Sequence, residues 1–359
     1  MALHFHPLTV KSIQRETPDS VSIAFDIPEN LKKEFTFKQG QNITIKKILN
    51  GKELRRSYSI CSGPLDNELR VGIKKAFNGL FSTYANTQLK IGEILQVMPP
   101  SGQFYSDLNS SNKKNYVAFA AGSGITPILS IIKTTLAVEP QSTFTLVFAN
   151  RNHLSIMFKD ELEALKDKHI HRFSLYYILT RERMETDINF GRIDEQKCSQ
   201  LSSLIPFASV DEFFICGPQE MSFCIKGFLE KQGLDKNKIH FELFTTPVQE
   251  RTALYHPAIV KQNDDASSIT VKLDGRSFNF NLDYNSNNIL DAALAEGADL
   301  PFACKGGVCT TCKAKLIEGK IEMEVNYGLE PEEVDAGFIL TCQSHPRSKK
   351  VVVDYDVNS

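Results

Sequence analysis

Three cysteines fall within nine residues, Cys304-Lys-Gly-Gly-Val-Cys309-Thr-Thr-Cys312, and a fourth, Cys342, follows after 29 more. No other feature constrains the chain so tightly. A C-x4-C-x2-C run with one remote cysteine places three thiolates on a single loop and brings the fourth from a distant strand, which is the ligand spacing of a plant-type [2Fe–2S] centre. Gly306 and Gly307 suit a backbone that must take unusual angles and offer N–H groups to sulfur. Two alternatives compete. Zinc ribbons usually present two C-x2-C halves, whereas here the second half is the lone Cys342. A Cys309–Cys312 redox pair would leave Cys304 and Cys342 without a task.

A chain of 359 residues predicts two or three domains. Lys and Arg total 41 against 43 Asp and Glu, a net charge of −2, so no basic field points to nucleic acid. The start, MALHFHPLTVKSIQ, carries no export signal. The apolar run from Val117 to Ile132 is broken by Gly122, Ser123, Gly124 and Pro127, which argues against a membrane span. Of the eight cysteines, four crowd into the last sixth of the chain, so a cluster is favoured over disulfides and the protein is expected in the cytoplasm.

Residues 1–107 hold six short strand-like runs (Leu8–Ile13, Val21–Asp26, Gln41–Ile48, Arg56–Cys61, Leu69–Ile73 and Ile94–Met98) punctuated by Gly, Pro and Asn-Gly. That spacing predicts a small antiparallel barrel. Residues 113–245 change period: apolar strands at Tyr116–Ala121, Phe144–Ala149, Phe173–Leu179 and Glu212–Cys216 alternate with helical segments at Pro127–Leu136, Ile156–Lys166 and Met221–Gln232. This predicts a parallel α/β sheet. Residues 246–267 read as a linker. Residues 268–359 form a small β+α domain, with a hairpin at Asp274-Gly275 and a helix over Ile289–Glu296 capped by Asn288.

Two motifs in the first part carry chemistry. In Arg56-Ser57-Tyr58-Ser59, Arg56 can neutralise a diphosphate, Tyr58 offers a flat face to an aromatic ring, and Ser59 can hydrogen-bond that ring's edge. Equally, these could be ordinary strand residues. Gly79-Leu80-Phe81-Ser82 opens a helix, whose first N–H groups and dipole favour phosphate.

In the second part, Ala120-Ala-Gly122-Ser-Gly124-Ile-Thr126-Pro127 lies between a strand and a helix, the setting of a dinucleotide turn. Pro127 occupies the third Gly position of G-x-G-x-x-G, which excludes an ordinary Rossmann fingerprint. Cys216-Gly217-Pro218 ends a later strand, either as a functional turn or simply as a strand terminator. Arg151, and Thr180-Arg181, follow two further strands and suit the 2′-phosphate of NADP, which favours NADPH over NADH.

R-x-Y-S, the Gly79–Ser82 helix start, A-G-S-G-I-T-P and C-G-P occur in the order found in the ferredoxin–NADP reductase superfamily, which the chain resembles. From Ser268 onward it resembles a plant-type ferredoxin. The resemblance implies an antiparallel Greek-key FAD barrel, an α/β parallel-sheet NAD(P) domain and a β-grasp [2Fe–2S] domain. Arg56, Tyr58, Ser59 and Gly79, Leu80, Phe81 and Ser82 would hold FAD. Gly122, Gly124, Thr126, Pro127, Arg151, Thr180, Arg181, Cys216, Gly217 and Pro218 would hold NADPH, with Ser59 and Cys216 at the hydride contact. The cluster would sit on Cys304, Cys309, Cys312 and Cys342. Such chains are reductase components of multicomponent oxygenases, so the implied partner is an oxygenase.

The phrases Asn150-Arg151 with Ser155-Ile-Met-Phe158, Gly191-Arg-Ile-Asp194 and Phe214-Ile-Cys-Gly-Pro218 are similar to those of the reductases that serve di-iron phenylacetyl-CoA epoxidases in phenylacetate breakdown. Service to another ring-hydroxylating or alkane oxygenase, or a redox-sensing role, stays open at this point.

Overall fold

The structure is a computed structural model that describes residues 4–184, 186–244 and 266–357. The expected linker lies outside these residues, except for Ala266 and Ser267, which already belong to a strand. The chain divides into two compact units. The larger comprises His6–Leu54 and Tyr58–Phe244; the smaller holds the C-terminal residues with the chain start and Arg55–Ser57.

The N-terminal sheet contains β1 (His6–Thr17), β2 (Ser20–Asp26), β3 (Asn42–Leu49), β4 (Lys52–Ser59), β5 (Leu69–Lys74) and β6 (Ile94–Val97), in the order β4-β3-β6-β1-β2-β5. Its named pairings are antiparallel. The six expected strands are all present, and β6 is inserted between β3 and β1 in the manner of a Greek key. Asn50 and Gly51, at φ 51° and 75°, make the two-residue turn joining β3 to β4. Between β5 and β6 runs α1 (Leu80–Thr87), whose Phe81, Tyr84 and Ala85 bury against the sheet's apolar face.

The second sheet is wholly parallel, in the order β11-β10-β7-β8-β9. Its elements follow in sequence: β7 (Asn115–Ala121), α2 (Ile125–Val138), β8 (Thr143–Asn150), α3 (Lys159–Lys168), β9 (Phe173–Leu179), α4 (Glu195–Ser202), β10 (Glu212–Gly217), α5 (Gln219–Lys231) and β11 (Ile239–Leu243). Strands β7 to β10 read as largely apolar because both faces are covered. Phe148 packs among α2 and α3, while its neighbour Val147 packs beneath α4 and α5. Helix α2 is itself apolar nearly all round, since the first domain covers its other side; there Ser130 Oγ donates to the Ser62 carbonyl at 2.7 Å.

Helix α3 starts at Lys159 rather than at the expected Ile156. Ile156, Met157 and Phe158 are drawn out of helical geometry into the core, with Phe158 at φ 56°. A bulky residue held there costs about 1–2 kcal/mol, offset by burying its ring. A Cβ on Gly72 of β5 would stand 2.9 Å from that ring and 2.7 Å from Thr126 Cγ2. Only glycine lets the first domain approach the second this closely. Around this contact lies a charged network: Arg70 donates twice to Glu161, at 2.7 and 2.9 Å, and Lys133 bridges Glu161 and Asp66. Cys61 lies beside it, and burial pushes its thiol up to about 12.

The C-terminal unit is a mixed five-stranded sheet in the order β13-β12-β18-β14-β16, with a small β15–β17 pair. Its elements are β12 (Ala266–Leu273), β13 (Arg276–Asp283), α6 (Ile289–Ala295), β14 (Lys313–Glu318), β15 (Ile321–Met323), α7 (Pro331–Asp335), β16 (Phe338–Leu340), β17 (Ser344–Pro346) and β18 (Lys350–Asp354). The Asp274-Gly275 hairpin forms with both residues at positive φ, and Asn288 caps α6 by accepting the Asp291 N–H. No helix among the described residues is long and apolar enough to cross a membrane.

Candidate functional site

The cluster loop Cys304–Cys312 joins α6 to β14. Its thiols meet in two pairs. Cys304 and Cys309 lie 3.2 Å apart, and Cys312 is hydrogen-bonded to Cys342. Backbone N–H groups of Gly306 and Cys309 point at the Cys304 sulfur, and Gln343 Nε2 stands 3.6 Å from the Cys342 sulfur. Gly307 takes φ 72°, as expected, but it is Lys305 rather than Gly306 that shares the left-handed region. Cys342 sits on a single tight turn, Thr341–Gln343, between β16 and β17, and not on a strand as the spacing suggested. The reason is room: a strand would aim neighbouring side chains to opposite faces, whereas the turn holds Cys342 inward with Gln343 beside it. Among the described residues no three His, Cys, Asp or Glu side chains close on one ion. Two thiol pairs under converging amides fit two irons better than a single tetrahedral zinc.

Strand β4 carries Arg56, exposed, then Tyr58, half-buried, then Ser59, buried. The Tyr58 ring lies 5.7 Å from that of Phe81 at the start of α1. Ser82 Oγ accepts the Ala76 N–H and donates to the Gly79 carbonyl, fastening the loop before α1. A Cβ on Gly79 would stand 2.4 Å from that oxygen. The helix start is therefore bare backbone beside an aromatic pair, while Leu80 is half exposed. This fits a flavin ring against Tyr58 and a diphosphate at the first N–H groups of α1.

The parallel sheet reverses its winding between β7 and β10, and ligands of such sheets bind at that crevice. The turn Gly122–Gly124 after β7 and Cys216-Gly217-Pro218 after β10 meet there. A Cβ on Gly124 would lie 2.0 Å from the Cys216 carbonyl oxygen. Gly122, by contrast, has open space where a side chain would stand. Thr126 and Pro127 are buried in the first turn of α2, and Thr126 Oγ1 donates to the Ser123 carbonyl, so they shape the turn from behind. Farther along, Arg181 N donates to the Arg151 carbonyl and Thr180 N to that of Asn150, which sets both exposed arginines side by side. The buried Asn150 amide has no hydrogen-bond partner at either end.

One residue escaped sequence reasoning. Glu242 on β11 lies opposite Cys216 in the register and accepts a hydrogen bond from Ser59 Oγ at 3.1 Å. Strand β11, Ile239-His-Phe-Glu-Leu243, was itself unforeseen: over five residues its alternation is too brief to stand out. Burial, and secondarily the Glu242 charge, pushes the Cys216 thiol well above its ordinary value, so it remains neutral. Ser59, Cys216 and Glu242, drawn from both domains of the larger unit, thus form one cluster.

Comparison with known proteins agrees with this layout. Residues 7–105 match the oxidoreductase FAD-binding domain, 119–226 the oxidoreductase NAD-binding domain, and 271–347 the 2Fe-2S iron-sulfur cluster binding domain. The chain is 44% identical to a subunit of the 1,2-phenylacetyl-CoA epoxidase of Escherichia coli K12, covering 98% of each. It is 32% identical to the ferredoxin reductase component of 3-ketosteroid-9-alpha-monooxygenase of Rhodococcus rhodochrous, over 97% of this chain and 96% of that one. Phthalate dioxygenase reductase shares the fold over 98% of both chains, at a TM-score of 0.58 and 22% identity. The chain belongs to the family of NAD(P)H-dependent flavin and iron–sulfur reductases that supply electrons to oxygenases.

Proposed function

We propose that this chain is the reductase of a phenylacetyl-CoA epoxidase system in the cytoplasm, taking electrons from NADPH in preference to NADH and delivering them singly to a di-iron oxygenase. The 44% identity to the E. coli epoxidase component over almost the whole of both chains carries this reading. Bound FAD supplies hydride acceptance, and the two-iron cluster supplies one-electron transfer.

Arg56 and the Gly79–Ser82 helix start bind the flavin diphosphate, and Tyr58 covers the ring. Ser59, oriented by Glu242, sets the ring's edge, while the neutral Cys216 thiol and Gly124 hold the nicotinamide turn at contact distance. Gly122 leaves room for the nucleotide diphosphate, backed by Thr126 and Pro127, with Gly217 and Pro218 completing the turn. Arg151, Arg181 and Thr180 take the 2′-phosphate: two guanidiniums from adjacent strand ends suit a dianion far better than a ribose hydroxyl. The reductase domains take up 1–107 and 113–245, and the ferredoxin domain begins by Ala266, the first residue of β12.

The decisive experiment combines the purified protein, phenylacetyl-CoA, oxygen and the epoxidase oxygenase component with NADPH or NADH, and follows the product by mass spectrometry. Epoxide or its ring-expanded isomer, formed faster with NADPH, is the expected result. Dye reduction without product would remove the epoxidase assignment, and the 32% identity to a ketosteroid monooxygenase reductase would make another oxygenase the next partner to try.

A further inference from the structure

The two thiol pairs of the C-terminal unit are held differently. Cys304 receives backbone N–H groups at its sulfur, whereas Cys312 is held through its carbonyl. That carbonyl accepts both the Thr341 N–H, at 3.2 Å, and the Thr341 hydroxyl, at 3.1 Å. Thr341 immediately precedes Cys342, so one side chain ties together the two members of the second pair. Next to it stands Tyr355, the first residue after β18, whose hydroxyl lies 2.6 Å from Thr341 Oγ1. The Tyr355 backbone N–H is itself fixed to the Lys272 carbonyl of β12 at 2.9 Å. Both residues are buried, and the Tyr355 ring belongs to the apolar core that includes Cys312 and Cys342.

The direction of this chain follows from its protons. A hydroxyl has one proton to give. That of Thr341 goes to the Cys312 carbonyl, so at the 2.6 Å contact Thr341 Oγ1 accepts and Tyr355 donates. The two O–H dipoles therefore run head to tail, with their positive ends toward Cys312. Away from water such dipoles are poorly screened, and each strengthens the next.

We infer that Tyr355 is a positioning residue for the iron–sulfur centre, whose reduction potential its hydroxyl raises by acting through Thr341. An electron arriving at the centre adds negative charge beside Cys312, and dipoles turned with their positive ends that way favour it. The device lies wholly within the C-terminal unit, so it holds for whichever oxygenase takes the electron.

The test is a redox titration of the full-length holoenzyme. It follows the visible absorbance and the paramagnetic resonance signal of the iron–sulfur centre, with the flavin potential as internal control. Tyr355→Phe keeps the ring and deletes the hydroxyl. The expected result is an equilibrium constant for reduction lowered roughly threefold, about 30 mV at 59 mV per decade, with the flavin potential unchanged. Thr341→Val cuts the chain at the carbonyl and should lower the constant further, roughly tenfold. Adding Tyr355→Phe to Thr341→Val should change nothing more, because the two hydroxyls act in series. Thr341→Ser keeps the hydroxyl and should keep the potential. An unchanged or raised potential in Tyr355→Phe would overturn the inference, as would additive shifts in the double variant. So would a parallel fall in the flavin potential, which marks a general disturbance. Loss of the centre from Tyr355→Phe would equally reject it, making the hydroxyl a requirement of the fold.

Discussion

The cysteine loop Cys304–Cys312 and the crevice between β7 and β10 are assembled in opposite ways. The loop gathers three of its four thiols from nine consecutive residues, and only Cys342 comes from afar. The crevice gathers Ser59, Gly124, Cys216 and Glu242 from β4, the β7–α2 turn, β10 and β11. A locally coded site is robust to what surrounds it, whereas an assembled site depends on two domains keeping their distance. The Arg70–Glu161–Lys133 network and the bare Gly72 are what keep that distance.

Changing Cys342 to Ser tests the local site and should have the largest effect. The iron–sulfur absorbance and electron delivery to an oxygenase should be abolished, while NADPH oxidation by a dye accepting directly from flavin should persist. Loss of both activities would show that the cluster region and the crevice are not separable. Glu161→Ala tests the clamp of the assembled site. Leaving Arg70 with Glu68 alone and Lys133 with Asp66 alone should cost about 1.5–3 kcal/mol in chemical denaturation followed by flavin fluorescence. An unchanged midpoint would mean that apolar contacts alone join the domains.

Gly124→Ala attacks the crevice directly. Its Cβ cannot stand 2.0 Å from the Cys216 oxygen, so the turn must move. Displacements of about 1 Å at a reacting centre slow chemistry about a hundredfold, measurable as flavin reduction in stopped flow. Ser59→Ala removes one hydrogen bond from the same cluster and should slow flavin reduction about fivefold, from roughly 1 kcal/mol. If Glu242→Gln has no effect while Ser59→Ala does, the pair does not act together.

The smallest effect is acid stability. At Glu212, burial raises the carboxyl pKa, but hydrogen bonds from His240 and Lys114 outweigh it, so the net shift is downward. A depressed carboxylate stabilises the fold above its unfolded pKa, about 4.5, and that contribution is lost as pH falls through the folded value. Glu212→Gln should therefore lose less stability than the unaltered protein on acidification below pH 4.5. A melting series across that range checks it.

Much of the fold was legible because it follows from local rules. The six N-terminal strands, the four apolar parallel strands, the Asn-Gly and Asp-Gly turns and the cap of α6 all appear where periodicity and turn chemistry put them. The misses share a cause. Strand β11 is a five-residue edge strand, and β14–β18 are short strands whose pairing partners are remote in sequence, so none of them stands out by length. Helix α3 begins late because packing against Gly72 overrides the helical pattern of Ile156–Phe158.

The sequence by itself determined the order of the FAD, NAD and iron–sulfur domains and the electron-transfer family, since each rests on motifs local in the chain. Only the tertiary structure decided that Glu242 hydrogen-bonds Ser59 and lies opposite Cys216, and that burial keeps the Cys216 thiol neutral. Those facts depend on burial and on strand register, and both are set by contacts between residues far apart in the chain.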